Sequence, residues 1–151
     1  MQRQTRSDEA YMRKIDYVFY HVDEIREAVL EEKKRMTRHE INNASNISDP
    51  TAAIVLKSME PVAVILLDKK LLRRPEEWLK VFDAVKKWCI ETDERFYKIL
   101  RDRYSEKDAK KTCANLSIST DFYYRALEKI RIQAALYAAY LRLINFSSSF
   151  R

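Results

Sequence analysis

Apolar side chains recur along the first forty residues at Tyr11, Ile15, Val18, Val22, Ile25, Val29 and Met36. The steps between them are four and three, with Glu32 in the one polar slot. That spacing predicts a single amphipathic helix from Ser7 or Asp8 to about His39, roughly 48 Å long, with a heptad seam. Met12 and Phe19 widen the stripe, and Lys14, Arg26, Lys33 and Arg35 flank it with one sign of charge. Two outcomes stay open for this seam: a homodimeric coiled coil, or a helix folded onto its own chain. A polar run, residues 42–48, interrupts the pattern and reads as a linker. Asp49-Pro50-Thr51 then opens a short helix to about Met59, with Asp49 as its cap and Pro50 in its first turn. Pro61 starts a further helical piece to about Leu72. Val62–Leu67 has the β-branched content of a strand, but no second strand is evident to pair with it, so the helical assignment stands as the expectation. Pro75 begins another helix to about Glu91, with Trp78, Phe82, Val85 and Cys89 on its apolar face. Thr92 caps a helix from Asp93 to about Arg103.

Past Arg103 the pattern changes in kind. Ser105 to Asn115 reads as a short helix with Ser105 as cap and small candidates for burial at Ala109, Thr112 and Cys113. A short turn, Leu116-Ser117-Ile118, leads to Ser119, the expected N-cap of a helix from Thr120 to about Ile144. Tyr123, Leu127, Ile130, Ala134, Tyr137, Leu141 and Ile144 form its inward face. A short helix, a tight turn and a longer helix opening with exposed polar side chains is the helix-turn-helix plan. The outward face of the longer helix presents Thr120, Asp121, Tyr124, Arg125, Glu128 and Lys129. Arginine reads guanine bidentately in the major groove, and lysine or tyrosine holds phosphate. Lys107, Lys110 and Lys111, expected on the preceding helix, lie over the phosphate backbone in this plan. Serine at position 117 stands where such turns favour glycine. It must either adopt a left-handed conformation or widen the turn.

Composition sharpens this picture. The 151 residues include no glycine and three prolines. Without glycine there is no phosphate-cradling loop of the nucleotide-binding kinds, and two-residue β-hairpin turns are disfavoured. The net charge of +6 is unevenly spread: zero over residues 1–40, +1 over 41–92 and +5 over 93–151. An anionic partner is therefore sought in the last third. Two cysteines, Cys89 and Cys113, and two histidines, His21 and His39, offer no ligand spacing for a metal. They make no nucleophile–base arrangement either, so neither a cofactor nor catalysis is expected. The N-terminus is polar and the most apolar run, Pro61–Leu67, is too short to cross a bilayer; a cytoplasmic protein is the expectation. The fold class expected is all-α: a long N-terminal amphipathic helix over 1–41, a linker over 42–48, a helical middle region over 49–91 and a helix-turn-helix domain over 92–151.

The segment Thr92-Asp93-Glu94-Arg95-Phe96-Tyr97-Lys98-Ile99-Leu100-Arg101-Asp102-Arg103-Tyr104, with Leu116-Ser117-Ile118-Ser119-Thr120-Asp121-Phe122-Tyr123-Tyr124-Arg125-Ala126-Leu127 after it, resembles the region-4-type DNA-binding domain of sigma factors. Within that group it is most similar to the ArpU/RinA-type phage transcriptional regulators. The resemblance covers about a third of the chain well, the middle weakly and the N-terminal helix not at all. It implies regulation of phage or prophage late operons through promoter DNA in a bacterial cytoplasm, with DNA contacts at Ser119, Thr120, Asp121, Tyr124, Arg125 and Glu128. It leaves open whether RNA polymerase is touched directly. Alanines 134, 135, 138 and 139 beside Tyr137 and Tyr140 allow another helix to approach closely, either from this chain or from a second copy in a homodimer. Two other readings remain: a DNA-recognition subunit of a phage packaging machine (small-terminase-like), which would form a ring, and a helical scaffold that binds protein alone.

Overall fold

The computed structural model describes residues 6–43, 51, 52, 55 and 59–145. The order along the chain is α1 (Arg6–Tyr20), α2 (Val22–Asn43), β1 (Val64–Leu67), β2 (Lys70–Arg73), α3 (Pro75–Thr92), α4 (Glu94–Tyr104), α5 (Ala109–Leu116) and α6 (Thr120–Tyr140). Among the described residues the architecture is mostly helical with one small hairpin. No described helix is long and apolar enough to cross a membrane. The chain divides into two compact units, one of Met1–His21 with Lys80–Arg151 and one of Val22–Leu79.

The first departure from the expected pattern is at His21, where the long N-terminal helix is interrupted. The His21 N–H bonds to the Val18 carbonyl at 3.1 Å, and Nδ1 of its ring sits 2.7 Å from the Tyr17 carbonyl. Both carbonyls belong to the last turn of α1, so His21 closes that helix before α2 begins. The seam residues Ile15, Val18, Val22, Ile25 and Val29 are all buried within the single chain. The short helix expected from Pro50 to Met59 falls mostly outside the described residues; Thr51, Ala52, Val55 and Met59 are helical.

The second departure is the hairpin. Residues 64–73 do not continue a helix. Val64 pairs with Arg73, Ile65 with Leu72, Leu66 with Leu71 and Leu67 with Lys70. The strand excluded for want of a partner finds it immediately downstream. Asp68 and Lys69 make the two-residue turn with φ of 47° and 65°. These are the left-handed values that a primed turn requires, reached here without glycine. Ile65, Leu67 and Leu72 face inward, and Leu66 and Leu71 stay exposed. Within the same unit Glu76, on α3, bridges α2 and the segment leading into β1. One carboxylate oxygen accepts the Val62 N–H at 2.8 Å and the other pairs with Lys33 Nζ at 2.8 Å.

In the other unit α6 packs against α1, α4 and α5. Its core contains Ile15, Val18, Ile99, Leu100, Tyr123, Leu127 and Ile130. Asp16 on α1 joins this unit at long range. Its carboxylate accepts the Tyr104 O–H at 2.7 Å and Arg131 Nε at 3.2 Å, and it also pairs with Arg131 Nη2. The hydrogen bond to Asp16 holds the Arg131 guanidinium above its usual range, and burial followed by the Asp16 charge raises the Tyr104 phenol. Cys89, fully buried on α3, has its thiol pushed by burial from 9.0 to about 12. A pKa raised on folding stabilises the native state fully below the unfolded value and loses that contribution as pH climbs through the folded one. Stability measured by urea unfolding is therefore expected to be flat from pH 7 to about 9 and to decline toward pH 12, with Tyr104 adding in the same sense above about pH 10. Cys89→Ala should remove the part of the decline that begins near pH 9.

Candidate nucleic-acid interface

The segment read from the sequence as a helix-turn-helix falls on α4, α5 and α6. Asp93 caps α4, accepting the Arg95 N–H at 2.9 Å, so the cap lies one residue beyond Thr92. The same carboxylate binds Arg95 through Nε and Nη2 and is held below the usual carboxylate range by that guanidinium. Arg95 in turn lies over the Phe122 ring, 4.4 Å from its centroid, fixing the start of α6 against the start of α4.

The next helix begins later than the sequence suggests. Ser105 closes α4, its hydroxyl donating to the Arg101 carbonyl at 2.6 Å, and Asp108 caps α5 by accepting the Lys110 N–H at 3.2 Å. Aspartate outcompetes the upstream serine because Glu106 takes a positive φ of 60° and breaks the chain between them. Lys107 therefore sits in the connection ahead of α5, not on the helix. Its N–H bonds to the Asp102 carbonyl at 3.0 Å. Asp102 is only 6% exposed. It accepts the Thr112 hydroxyl at 3.0 Å and is flanked by Arg101 Nε at 3.4 Å and Lys107 Nζ at 3.9 Å. A buried carboxylate needs such partners, and these lock α5 onto α4.

The turn follows directly from helix-termination chemistry. Ser117 lies at φ 53°, ψ 44°, the left-handed conformation expected as one of its two options. Its N–H bonds to Ala114 O at 3.4 Å and the Ile118 N–H to Cys113 O at 3.1 Å, the paired closure of a Schellman motif. The Cys113 thiol approaches the Ser119 carbonyl at 3.9 Å, and Ser119 Oγ accepts the Phe122 N–H at 3.1 Å. Ser117→Gly is expected to raise stability by about 0.5–1 kcal/mol, because relief of left-handed strain exceeds the added entropy of the unfolded chain. A lower urea midpoint in that variant would contradict the role given to this turn.

This geometry brings the expected contact residues to one end of the element. Thr120, Asp121, Tyr124, Arg125, Glu128 and Lys129 are exposed on the opening turns of α6, with Ser119 exposed at its cap. Lys110 and Lys111 are exposed on α5 and Lys107 just before it. Arg125 meets Asp121 at 3.1 Å, an exposed i,i+4 pair that a phosphate or base can replace at little cost. Tyr124 stands edge-on to Tyr123 with ring centroids 5.1 Å apart. Tyr123 is fully buried, and burial raises its phenol; its hydroxyl and Arg103 Nε lack hydrogen-bond partners among the described residues.

Comparison with family models, with curated proteins and with solved structures finds no match to this chain.

Of the inward face read from the sequence, Tyr123, Leu127, Ile130 and Ala134 are buried and Tyr137 is half-buried, but the helix ends at Tyr140, with Leu141 as its C-cap, one turn short of Ile144. Ala134, Ala135 and Ala138 are buried within the chain. Arg95, Asp102 and the Asp16–Arg131 pair were absent from the candidates. Asp93 at the cap position two residues before Arg95 was the one local signal available. In the other unit a groove of about 460 Å³ runs between α2 and β1, with Glu31, Glu32, Arg35 and Arg38 on its helical wall. Glu32 and Arg35 pair with each other at 2.6 Å along this wall.

Proposed function

We propose that this chain is a sequence-reading duplex-DNA-binding regulator. The opening turns of α6 enter the major groove, and Lys107, Lys110 and Lys111 lie along the phosphates. The observation that supports this most is the rigid presentation of an exposed polar face. Thr120, Asp121, Tyr124, Arg125, Glu128 and Lys129 stand on a helix whose start is fixed by the Ser119 cap, the Ser117 turn and the buried Asp102–Thr112 bond. Base reading needs that rigidity, since each side chain must meet one base edge. The +5 charge of the last third supplies the phosphate term. The promoters of phage or prophage late operons are the proposed targets, on the resemblance in Thr92–Tyr104 and Leu116–Leu127.

Fluorescence anisotropy with the protein's own upstream region and a random duplex, across a salt series, tests this. With Lys107, Lys110, Lys111 and Lys129 on phosphates, the slope of log affinity against log salt is expected to be about −3 to −4 on both probes, with tighter binding to the upstream region. A steep slope without preference would favour the packaging-subunit alternative, and no binding at low salt would favour a protein-only partner.

A further inference from the structure

Arg103 stands where the periodicity of α4 calls for an apolar side chain. Phe96, Ile99 and Leu100 are buried on that helix. Arg103 continues the same stripe, one turn beyond Ile99 and Leu100. It is half-buried, and its Nε is sealed from solvent without an acceptor. The other basic residues of α4 have carboxylates: Arg95 has Asp93, Lys98 has Glu94 and Arg101 lies beside Asp102. Among the described residues Arg103 pairs with none.

The group beside it is also unsatisfied. Tyr123 on α6 is fully buried, and its hydroxyl has no partner. Burial raises this phenol and the nearby Arg103 guanidinium opposes the rise, so the two side chains meet where α4 packs on α6. The other polar groups near the phenol are Tyr124 and the Cys113 thiol. Neither is a carboxylate. A cation drawn partly out of water needs a counter-charge, and an unmet buried donor marks a place that water or an ion completes. Water answers the donors and leaves the charge unmet. An oxyanion answers both.

We infer that Arg103 is a phosphate ligand, its guanidinium backed by the Tyr123 hydroxyl and its terminal nitrogens turned to one phosphate of the bound duplex. Only Nε of the three nitrogens is sealed and unpartnered, so the terminal pair is the part a phosphate reaches. The planar fork suits two phosphate oxygens at once. The place suits a backbone contact. Tyr124, edge-on to Tyr123, belongs to the exposed face proposed to meet the bases, and Lys107, four residues after Arg103, is proposed to lie on phosphate. Tyr123 is a positioning residue in this arrangement, since its hydroxyl is too deep to touch the duplex. The phosphate's source rests on the DNA reading; the capacity of Arg103 to hold a phosphate does not.

Duplex binding across a salt series tests this with Arg103→Met, Arg103→Lys and Tyr123→Phe. R103M is expected to weaken binding to the upstream region and to a random duplex alike, by about tenfold, and to make the slope of log affinity against log salt shallower by about 0.9. R103K keeps the charge, so it is expected to restore the slope while recovering only part of the affinity. Y123F is expected to keep the slope and lose about threefold in affinity. Neither R103M nor Y123F should lower the urea midpoint of the free protein, because each removes an unsatisfied group and keeps an apolar body of similar size. A wild-type slope in R103M would overturn the assignment, and a lower urea midpoint beside it would make Arg103 a structural residue. Urea midpoints in sodium phosphate and in sodium chloride at equal ionic strength separate the two sources of phosphate. A phosphate-specific rise that R103M abolishes, with its duplex slope unchanged, would assign the site to free phosphate and overturn the backbone contact. If the wild type fails to bind duplex at low salt, the DNA reading falls. The phosphate series then decides Arg103 alone: a rise lost in R103M upholds it as a phosphate ligand, and equal midpoints overturn it.

Discussion

Alanine in place of Asp16 is expected to lower the unfolding free energy by about 3 kcal/mol. Asp16 is the common acceptor for Tyr104 and Arg131, and all three are at least partly buried. Removing the carboxylate leaves a half-buried guanidinium without its counter-ion and a phenol without an acceptor, each costly in a low-dielectric setting. Replacing both charges, as in Asp16→Leu with Arg131→Met, strands no charge and is expected to cost under about 2 kcal/mol. Urea midpoints of the two variants check the order. A loss below about 1 kcal/mol for the single variant would show that the cluster adds little to holding α1, α4 and α6 together.

The second large effect is on recognition. Arg125→Ala is expected to reduce discrimination between the upstream region and a random duplex by about 1–3 kcal/mol, or roughly five- to 150-fold. Its stability should move by no more than about 0.5 kcal/mol, since its ion pair with Asp121 is exposed. Tyr124→Ala should behave similarly, with a smaller change on random DNA. Anisotropy titrations beside circular dichroism separate the possibilities. Reduced helicity in either variant would assign these side chains to the fold instead of the contact surface.

The helices of this protein were legible because their burial follows a 3.6-residue period. Val18, Val85, Cys89, Leu127 and Ile130 were each placed inward by spacing alone, and each is buried. The exposed polar face of α6 was legible as the complement of that period. The hairpin was not, for a local reason. Val64–Leu67 is a continuous apolar run whose alternation appears only in its burial, and its turn uses Asp68 and Lys69 where glycine would have signalled it. The interruption at His21 was hidden because the heptad seam runs through it unbroken and neither proline nor glycine marks it. Asp16, Tyr104 and Arg131 could not be associated at all: their partners lie 88 and 115 positions away, and no periodicity spans such distances.

Helix α6 runs from Thr120 to Tyr140 without glycine or proline, so nothing along it can act as a joint. A rod of this kind behaves as a ruler graduated in residues. One base pair corresponds to just over two residues of rise, and a single inserted residue turns everything beyond it by about 100°. Length changes in this stretch would therefore be tolerated in whole turns or not at all, whereas point substitutions on its solvent side would leave the rod itself intact.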